Sequence, residues 1–516
     1  MLSLLLVAQI ATANYAARRA AAVADVDSGV VVAFGAPEPL DFWPTFHQLP
    51  AFHYLTGLDE SDAVLVMVVR DRKPSASVFV PTRTPVQERW VGTRTRIADM
   101  QQRFGMAGRD RTELPAAIDS LVKSGLPFYT VPDVQTGENW ERDTLTAGRS
   151  WLTRLRTDHP YLVVHSLDEP VTRLREKKSP AEIALLRQAA KISGLAHREA
   201  MRSAAPGCGE NEIQALLEGT FRRLGGSRPG YGSIVGSGPN ATILHYMEDS
   251  RVMQDGELLL VDAATAYDGY SADVTRTYPV NGRFTAAQRE LYQIVRNAQE
   301  AFVRQIRPGV AYEVPSDSGK AVVTRGLLRL GLIEAADATF DPPPGMNCPG
   351  GCSQVRLYAL HGYGGHGIGL EVHDPAQYYH PDHMFREGDV FTVEPGLYVS
   401  PELLASLPDT PKNRAMLKRL RPAVEKYKNF GVRIEDDFAL TERGLDWLSS
   451  EAPREINEIE SLMRERAGDA GGWEVRGHQQ GGGQVSTGLC TGVIPSAARD
   501  LDGIRRRRSR SSLRSG

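Results

Sequence analysis

Five residues of this chain can do chemistry together: Asp262, Asp273, His366, Glu394 and Glu435. They stand in the contexts LLLVDAATAYDGYSADVTRT, HGIGLEVHD, VFTVEPGLY and GVRIEDD. Four carboxylates balance the charge of two divalent cations. One imidazole among oxygen ligands suits Mn²⁺, with Co²⁺, Zn²⁺ or Fe²⁺ as alternatives. Paired cations about 3.5–4 Å apart generate a nucleophile at neutral pH and polarise a carbonyl. The set therefore points to metal-assisted hydrolysis.

The elements that must position these residues can be read around them. The run from Glu257 to Ala263 predicts a buried strand, and Tyr270 to Tyr278 predicts a second. Asp268-Gly269 between them is a hairpin signal. This spacing predicts that Asp262 and Asp273 face each other across the hairpin, where like charges are destabilising unless a cation or a shared proton lies between them. The alternative is that one aspartate caps a turn in water. Glu394 ends the apolar run Val390–Val393 and is stopped by Pro395-Gly396. A glutamate there is costly to bury unpaired. Glu435 is in a strand-like stretch, with Arg433 on the same face two residues away, so a plain ion pair between the two is the competing reading.

Of 12 histidines, five fall between 361 and 383: His361, His366, His373, His380 and His383. The glycines around the first two allow close backbone approach. Residues 362–367 also fit G-x-G-x-x-G, but the embedded His366 and the following Glu371-Val-His-Asp374 do not open a crossover helix, so no dinucleotide site is read here. His380 and His383 lie in a Pro- and Asp-containing stretch that predicts a surface loop.

Together these motifs resemble the pita-bread metallopeptidases, in the branch of aminopeptidase P and prolidase. The resemblance spans residues 30–465. It implies an α+β pita-bread catalytic domain preceded by a smaller α/β N-terminal domain. By the same resemblance Asp262 is a terminal metal ligand, Asp273 and Glu435 are bridging ligands, and His366 is the single imidazole ligand. Glu394 binds metal and handles the proton of the attacking water. His245, in Ile243-Leu-His-Tyr246, and His373 correspond to non-ligand histidines that hold substrate and steady the tetrahedral intermediate. Arg433 corresponds to the arginine beside the last ligand. His361 is similar to a further substrate-binding histidine, but it precedes His366 by five residues where the family usually has four.

The implied reaction is hydrolysis of an N-terminal Xaa-Pro bond by a metal-activated hydroxide, on peptides with proline at the second position. A prolidase restricted to Xaa-Pro dipeptides is the nearest rival. A metal-free binding protein of this fold, or a creatinase-like C–N hydrolase, would lack the ligand set that is complete here. Relatives of this kind imply a homo-oligomer, dimer or tetramer.

Composition adds limits. The net charge is −3, which gives no electrostatic case for a nucleic-acid partner. No internal stretch is long and apolar enough to span a membrane. Residues 1–13 resemble a secretory signal with a small-residue exit but no basic n-region, so export to the periplasm is slightly favoured over the cytoplasm. Cys348 and Cys352 lie close in a Gly-Pro loop and predict a local disulfide if the protein is exported. Residues 25–165 predict the α/β domain, 166–178 a linker and 179–465 the metallopeptidase domain. Ser179-Pro180-Ala-Glu182 predicts a capped helix start. Helices are also predicted near 209–224 and 453–467. Residues 466–516, rich in Gly, Gln and Ser and ending in arginines, predict a disordered tail. Two stretches read as insertions that could reshape access to the site: 342–352, and the helix-like 403–427, which could form a flap over the site or an oligomer contact.

Overall fold

The computed structural model describes residues 10–39, 46–131, 147–346, 348, 351–360, 362, 364–374 and 383–465. Residues 1–9 of the signal-like segment, His361, His380 and the tail 466–516 lie outside the described residues.

The N-terminal part is built on a six-stranded sheet, β1 (Gly29–Phe34), β2 (Val64–Arg70), β3 (Lys73–Val80), β4 (Ala107–Asp110), β5 (Phe128–Val131) and β6 (Val164–Ser166), in the order β4-β3-β2-β1-β5-β6. The first three strands run antiparallel, and β4, β5 and β6 join parallel to their neighbours. β1 is apolar throughout because it is buried on both faces. Val30, Val32 and Phe34 join the core beneath helices Leu114–Lys123 and Ala147–Asp158. Val31 and Ala33 join a core on the other face. That second core is shared with the catalytic part: Leu185, Leu186, Ala272, Val274 and Leu370 belong to it. Helix Thr12–Ala22 also packs there through Tyr15 and Ala22. The α/β unit thus extends before residue 25.

The expected linker is largely helical, Asp168–Glu176. Helix Pro180–Ser203 starts as the sequence requires. Ser179 Oγ accepts from the Glu182 N–H at 3.4 Å, and the Ser179 N–H donates to Glu182 Oε2 at 2.8 Å. Helices Glu210–Arg223 and Ile456–Arg464 occupy the other predicted positions.

The catalytic strands are short and interrupted. They are β7 (Arg228–Pro229), β8 (Ile234–Ser237), β9 (Leu258–Asp262), β10 (Thr265–Tyr267), β11 (Tyr270–Ser271), β12 (Thr275–Pro279), β13 (Thr339–Phe340), β14 (Cys352–Ser353), β15 (Val390–Val393), β16 (Gly396–Tyr398), β17 (Gly431–Arg433), β18 (Asp436–Thr441) and β19 (Gly444–Trp447). β12, β9 and β8 form one antiparallel sheet, and β15, β18 and β19 another. Mixed sheets and packed helices make this an α+β fold.

Both insertions are structured where described. Cys348 and Cys352 form a disulfide with a Cα–Cα separation of 5.1 Å. Within 403–427, helix Pro411–Tyr427 buries Met416, Leu420 and Tyr427 in the main catalytic core. No described residue of 403–427 lines the cavity that holds the carboxylates. The helix is a buttress, because one of its faces is apolar enough to pack.

Candidate metal centre

The hairpin forms, but its register differs from the sequence expectation. Asp268 and Gly269 make a two-residue turn with φ of 49° and 84°, and Tyr267 pairs with Tyr270. The turn is therefore centred one residue later than the midpoint of the two aspartates. Asp262 lies opposite Thr275, not Asp273. The predicted second strand is broken at 272–274, and Asp273 occupies that break. The break still turns Asp273 into the same cavity as Asp262.

Every candidate ligand sits at a strand end or interruption. Asp262 ends β9, Glu394 falls between β15 and β16, and Glu435 between β17 and β18. His366 follows two glycines. A Cβ on Gly365 would come within 2.1 Å of Thr392 Oγ1 and 2.3 Å of the Thr392 carbonyl oxygen, so only glycine lets this loop lie on β15. The loop then docks through the His366 N–H to Thr392 Oγ1 at 3.2 Å and the Thr392 N–H to the His366 carbonyl at 2.9 Å.

The cavity has a volume of about 720 Å³ and is lined by Asp262, Asp273, His366, Glu394 and Glu435, together with His245, His373 and Arg433. Asp273, His366 and Glu435 offer ligand atoms within 4.8 Å of one another. His366 Nε2 lies 3.4 Å from Asp273 Oδ2 and 3.5 Å from Glu394 Oε1. His366 Nδ1–H donates to the Gly367 carbonyl at 3.1 Å, which fixes the tautomer and aims Nε2 at the carboxylates.

Hydroxyl donors hold the carboxylates from outside. Tyr231 donates to Asp262 Oδ1 at 2.5 Å and Thr275 to Glu435 Oε2 at 2.6 Å. Thr392 donates to Glu394 Oε1 at 3.3 Å. Arg433 pairs with Asp262 Oδ2, not with Glu435 as the spacing suggested, because it ends β17 while Glu435 lies beyond the strand. Arg433 also donates to Thr275 Oγ1 and Tyr398 Oη, each at 3.0 Å.

These groups are under electrostatic strain. Burial pushes Glu394 up to about 7, and His366 and Arg433 only partly oppose it. Burial also raises Glu435 well above the carboxylate range, with Asp273, Glu394 and Asp262 adding to the effect. Asp273 is raised by burial and by Asp262. Burial opposes charge on His366, but Asp273 and Glu394 hold its proton on to about 9. His373, whose ring centroid is 4.1 Å from that of His366, is driven down to about 4 by burial and by its histidine neighbours. Asp273 Oδ1 is buried and has no hydrogen-bond partner among the described residues. A bare buried carboxylate oxygen amid raised carboxylates is what a cation site requires. The donor set fits divalent metal.

Reasoning from sequence alone missed Tyr231, Thr275, Thr392 and Tyr398. The only signal for Tyr231 was its place in Gly230-Tyr231-Gly232, a weak one.

Comparison with known proteins gives the same picture. Residues 184–442 match the model of metallopeptidase family M24, and residues 15–126 match the aminopeptidase P N-terminal domain. The Xaa-Pro aminopeptidase of Escherichia coli strain K12 is 33% identical over 470 residues, covering 88% of this chain and 98% of its own. That of Haemophilus influenzae is 33% identical over 420 residues, covering 81% of this chain and 88% of its own. Among solved structures, the proline aminopeptidase P II of Yersinia pestis superposes with a TM-score of 0.73 at 29% identity, covering 88% of this chain and 100% of its own. A zinc-substituted Escherichia coli aminopeptidase P in complex with product gives 0.72 at 32% identity, covering 89% of this chain and 100% of its own.

Proposed function

The chain belongs to metallopeptidase family M24, and from that premise we infer that it is a metal-dependent aminopeptidase releasing the N-terminal residue of peptides with proline in second place. The observation that carries this reading is the convergence of Asp262, Asp273, His366, Glu394 and Glu435 on one cavity, in a chain whose relatives are named Xaa-Pro aminopeptidases. Those names favour the aminopeptidase over the dipeptidase.

The five residues would hold two divalent cations, with Mn²⁺ the proposed metal. Bound cations supply the positive charge that acidifies water and polarises a carbonyl. The protein's own groups do the rest. Glu394, which lines the cavity with Oε1 3.5 Å from His366 Nε2, accepts the proton of the attacking water and delivers it to the leaving proline nitrogen. That nitrogen carries no hydrogen before cleavage, so its protonation is the step a shuttle must serve. His373 and the more exposed His245 line the mouth and are placed to hold the substrate carbonyl and chain. Arg433, tied to Asp262, Thr275 and Tyr398, keeps the carboxylate cluster in register.

Hydrolysis of Arg-Pro-Pro and of Gly-Pro separates the readings. The aminopeptidase reading expects metal-restored cleavage of the tripeptide. Cleavage of the dipeptide alone would make it a prolidase. Cleavage of neither, with metal bound, would sink the proline-specific assignment.

A further inference from the structure

His373 lies on a loop with almost no regular structure of its own. Residues 364–368 are laced to β15 by the Gly367–Phe391 bridge and by backbone bonds from the Glu394 N–H to Gly364, the Thr392 N–H to His366 and the Ile368 N–H to Val390, but this ladder stops before residues 369–374, which carry His373. What fixes the loop is polar, and much of it comes from the segment joining the two parts of the chain. Arg175, on helix Asp168–Glu176, reaches Glu371 Oε2 at 2.6 Å and Asp374 Oδ1 at 2.9 Å. Lys178 Nζ donates to the Asp374 carbonyl at 2.5 Å. Both cations are buried, as is Asp374.

Asp374 immediately follows His373, and its carboxylate ties the loop on itself. Oδ2 accepts from the Leu370 N–H at 2.7 Å, and the Asp374 N–H donates to the Gly367 carbonyl at 2.7 Å. A Cβ on Gly369 would lie 2.4 Å from Asp374 Oδ2 and 3.0 Å from Lys178 Cε, so the loop is moulded around the clamp. Lys178 is itself anchored, its N–H donating to the Gly388 carbonyl at 2.8 Å. None of these groups lines the catalytic cavity.

Resting on the aminopeptidase reading, we propose that Arg175 and Lys178 are positioning residues that set His373 against His366 by clamping Asp374, making the interdomain segment part of the active site. Arg175 on the Asp374 carboxylate and Lys178 on the Asp374 carbonyl, both buried, fix the backbone of the neighbouring cavity-lining histidine from behind. Small misplacements of such a group cost rate more than binding.

The test compares full-length wild type, Arg175→Met, Arg175→Lys, Lys178→Met and Asp374→Asn. Each is assayed for kcat and KM on Arg-Pro-Pro, for bound metal, and for the rate at which His373 is modified by diethylpyrocarbonate, read by mass spectrometry. Arg175→Met is expected to lower kcat about tenfold with KM and metal content changed less than about twofold. It should also speed modification of His373. Arg175→Lys restores part of both, and Arg175→Met combined with Asp374→Asn is no worse than the poorer single change. If Arg175→Met does not fold, Arg175→Lys and Asp374→Asn carry the same comparison. Unchanged kcat and unchanged His373 reactivity would overturn the proposal, as would a loss that only follows metal content. Should wild type fail to cleave Arg-Pro-Pro, the functional reading falls, while His373 reactivity still decides the clamp.

Discussion

Glu435 and Asp436 are neighbours in sequence, both buried, and they live in opposite electrostatic worlds. Asp436 accepts from Arg276 and Arg454, each at 2.6 Å, from Ser449 at 2.6 Å, from Trp447 at 2.8 Å and from Gln299 at 2.9 Å. Burial works against its charge, yet the two arginines hold its pKa down to about 2. Glu435 has one hydroxyl donor, Thr275, and burial raises it far above its ordinary value, with the three further carboxylates it faces adding to the rise. Burial is common to both, so burial does not mark the site. Charge balance does: the Asp436 cluster is neutralised from within the protein, and the Glu435 cluster is left for something else to neutralise.

The sharpest way to break this contrast is the same isosteric change on each side. Glu435→Gln should cut Xaa-Pro cleavage by roughly a thousandfold, because it removes a group that would hold the cations stabilising the transition state, with the metal-free fold intact by circular dichroism. Asp436→Asn should instead cost about 3–5 kcal/mol of stability by chemical denaturation, because Arg276 and Arg454 lose their counter-charge in the interior. In metal-free protein Glu435→Gln should raise the Tm at alkaline pH, since there it removes a buried carboxylate that would lose its proton among three others. A lower Tm would mean that the cluster is balanced after all.

pH sharpens the comparison. In metal-free protein Glu394 sits at about 7 against an ordinary 4.5, and His366 at about 9 against 6.5. Both hold their protons more tightly when folded. The folded state therefore binds more protons than the unfolded one between about pH 4.5 and 9, and stability falls as pH rises through that window. Asp436, lowered to about 2 from 3.8, acts in reverse: its contribution is full above 3.8 and lost as pH falls through 2. Metal-free protein should be most stable near pH 4–5, whereas the stabilisation added by Mn²⁺ should grow with pH as protons cease to compete. Denaturation series with and without metal check both slopes.

Tyr231→Phe is the mildest perturbation. It removes the donor to Asp262 and should cost a few-fold in kcat and about 1 kcal/mol in stability. A loss as large as that of Glu435→Gln would show that Tyr231 touches the reacting atoms.

What the sequence revealed follows from range. Asp262, Asp273, Glu394 and Glu435 stood out in strand-like runs and His366 in a glycine-ringed histidine cluster, all of them local patterns. The register of Asp262 against Thr275 was missed because the break at 272–274 has no local signature: Ala272-Asp273-Val274 reads as continuous strand. Tyr231 is 31 residues from Asp262, and Arg175 is 196 from Glu371, so only the fold brings them together. Helix Pro411–Tyr427 was seen as a helix, but not where its apolar face docks, since periodicity shows a face without naming its partner.

The central claim is that the uncompensated carboxylates form a two-cation catalytic centre. It is tested most directly by titrating metal-stripped protein with Mn²⁺ while following both bound metal and Arg-Pro-Pro cleavage. The account predicts no cleavage without metal, activity rising to saturation at two bound equivalents, and less metal with no activity in Glu435→Gln. Full cleavage by metal-stripped protein, or saturation of both quantities unchanged by Glu435→Gln, would contradict it.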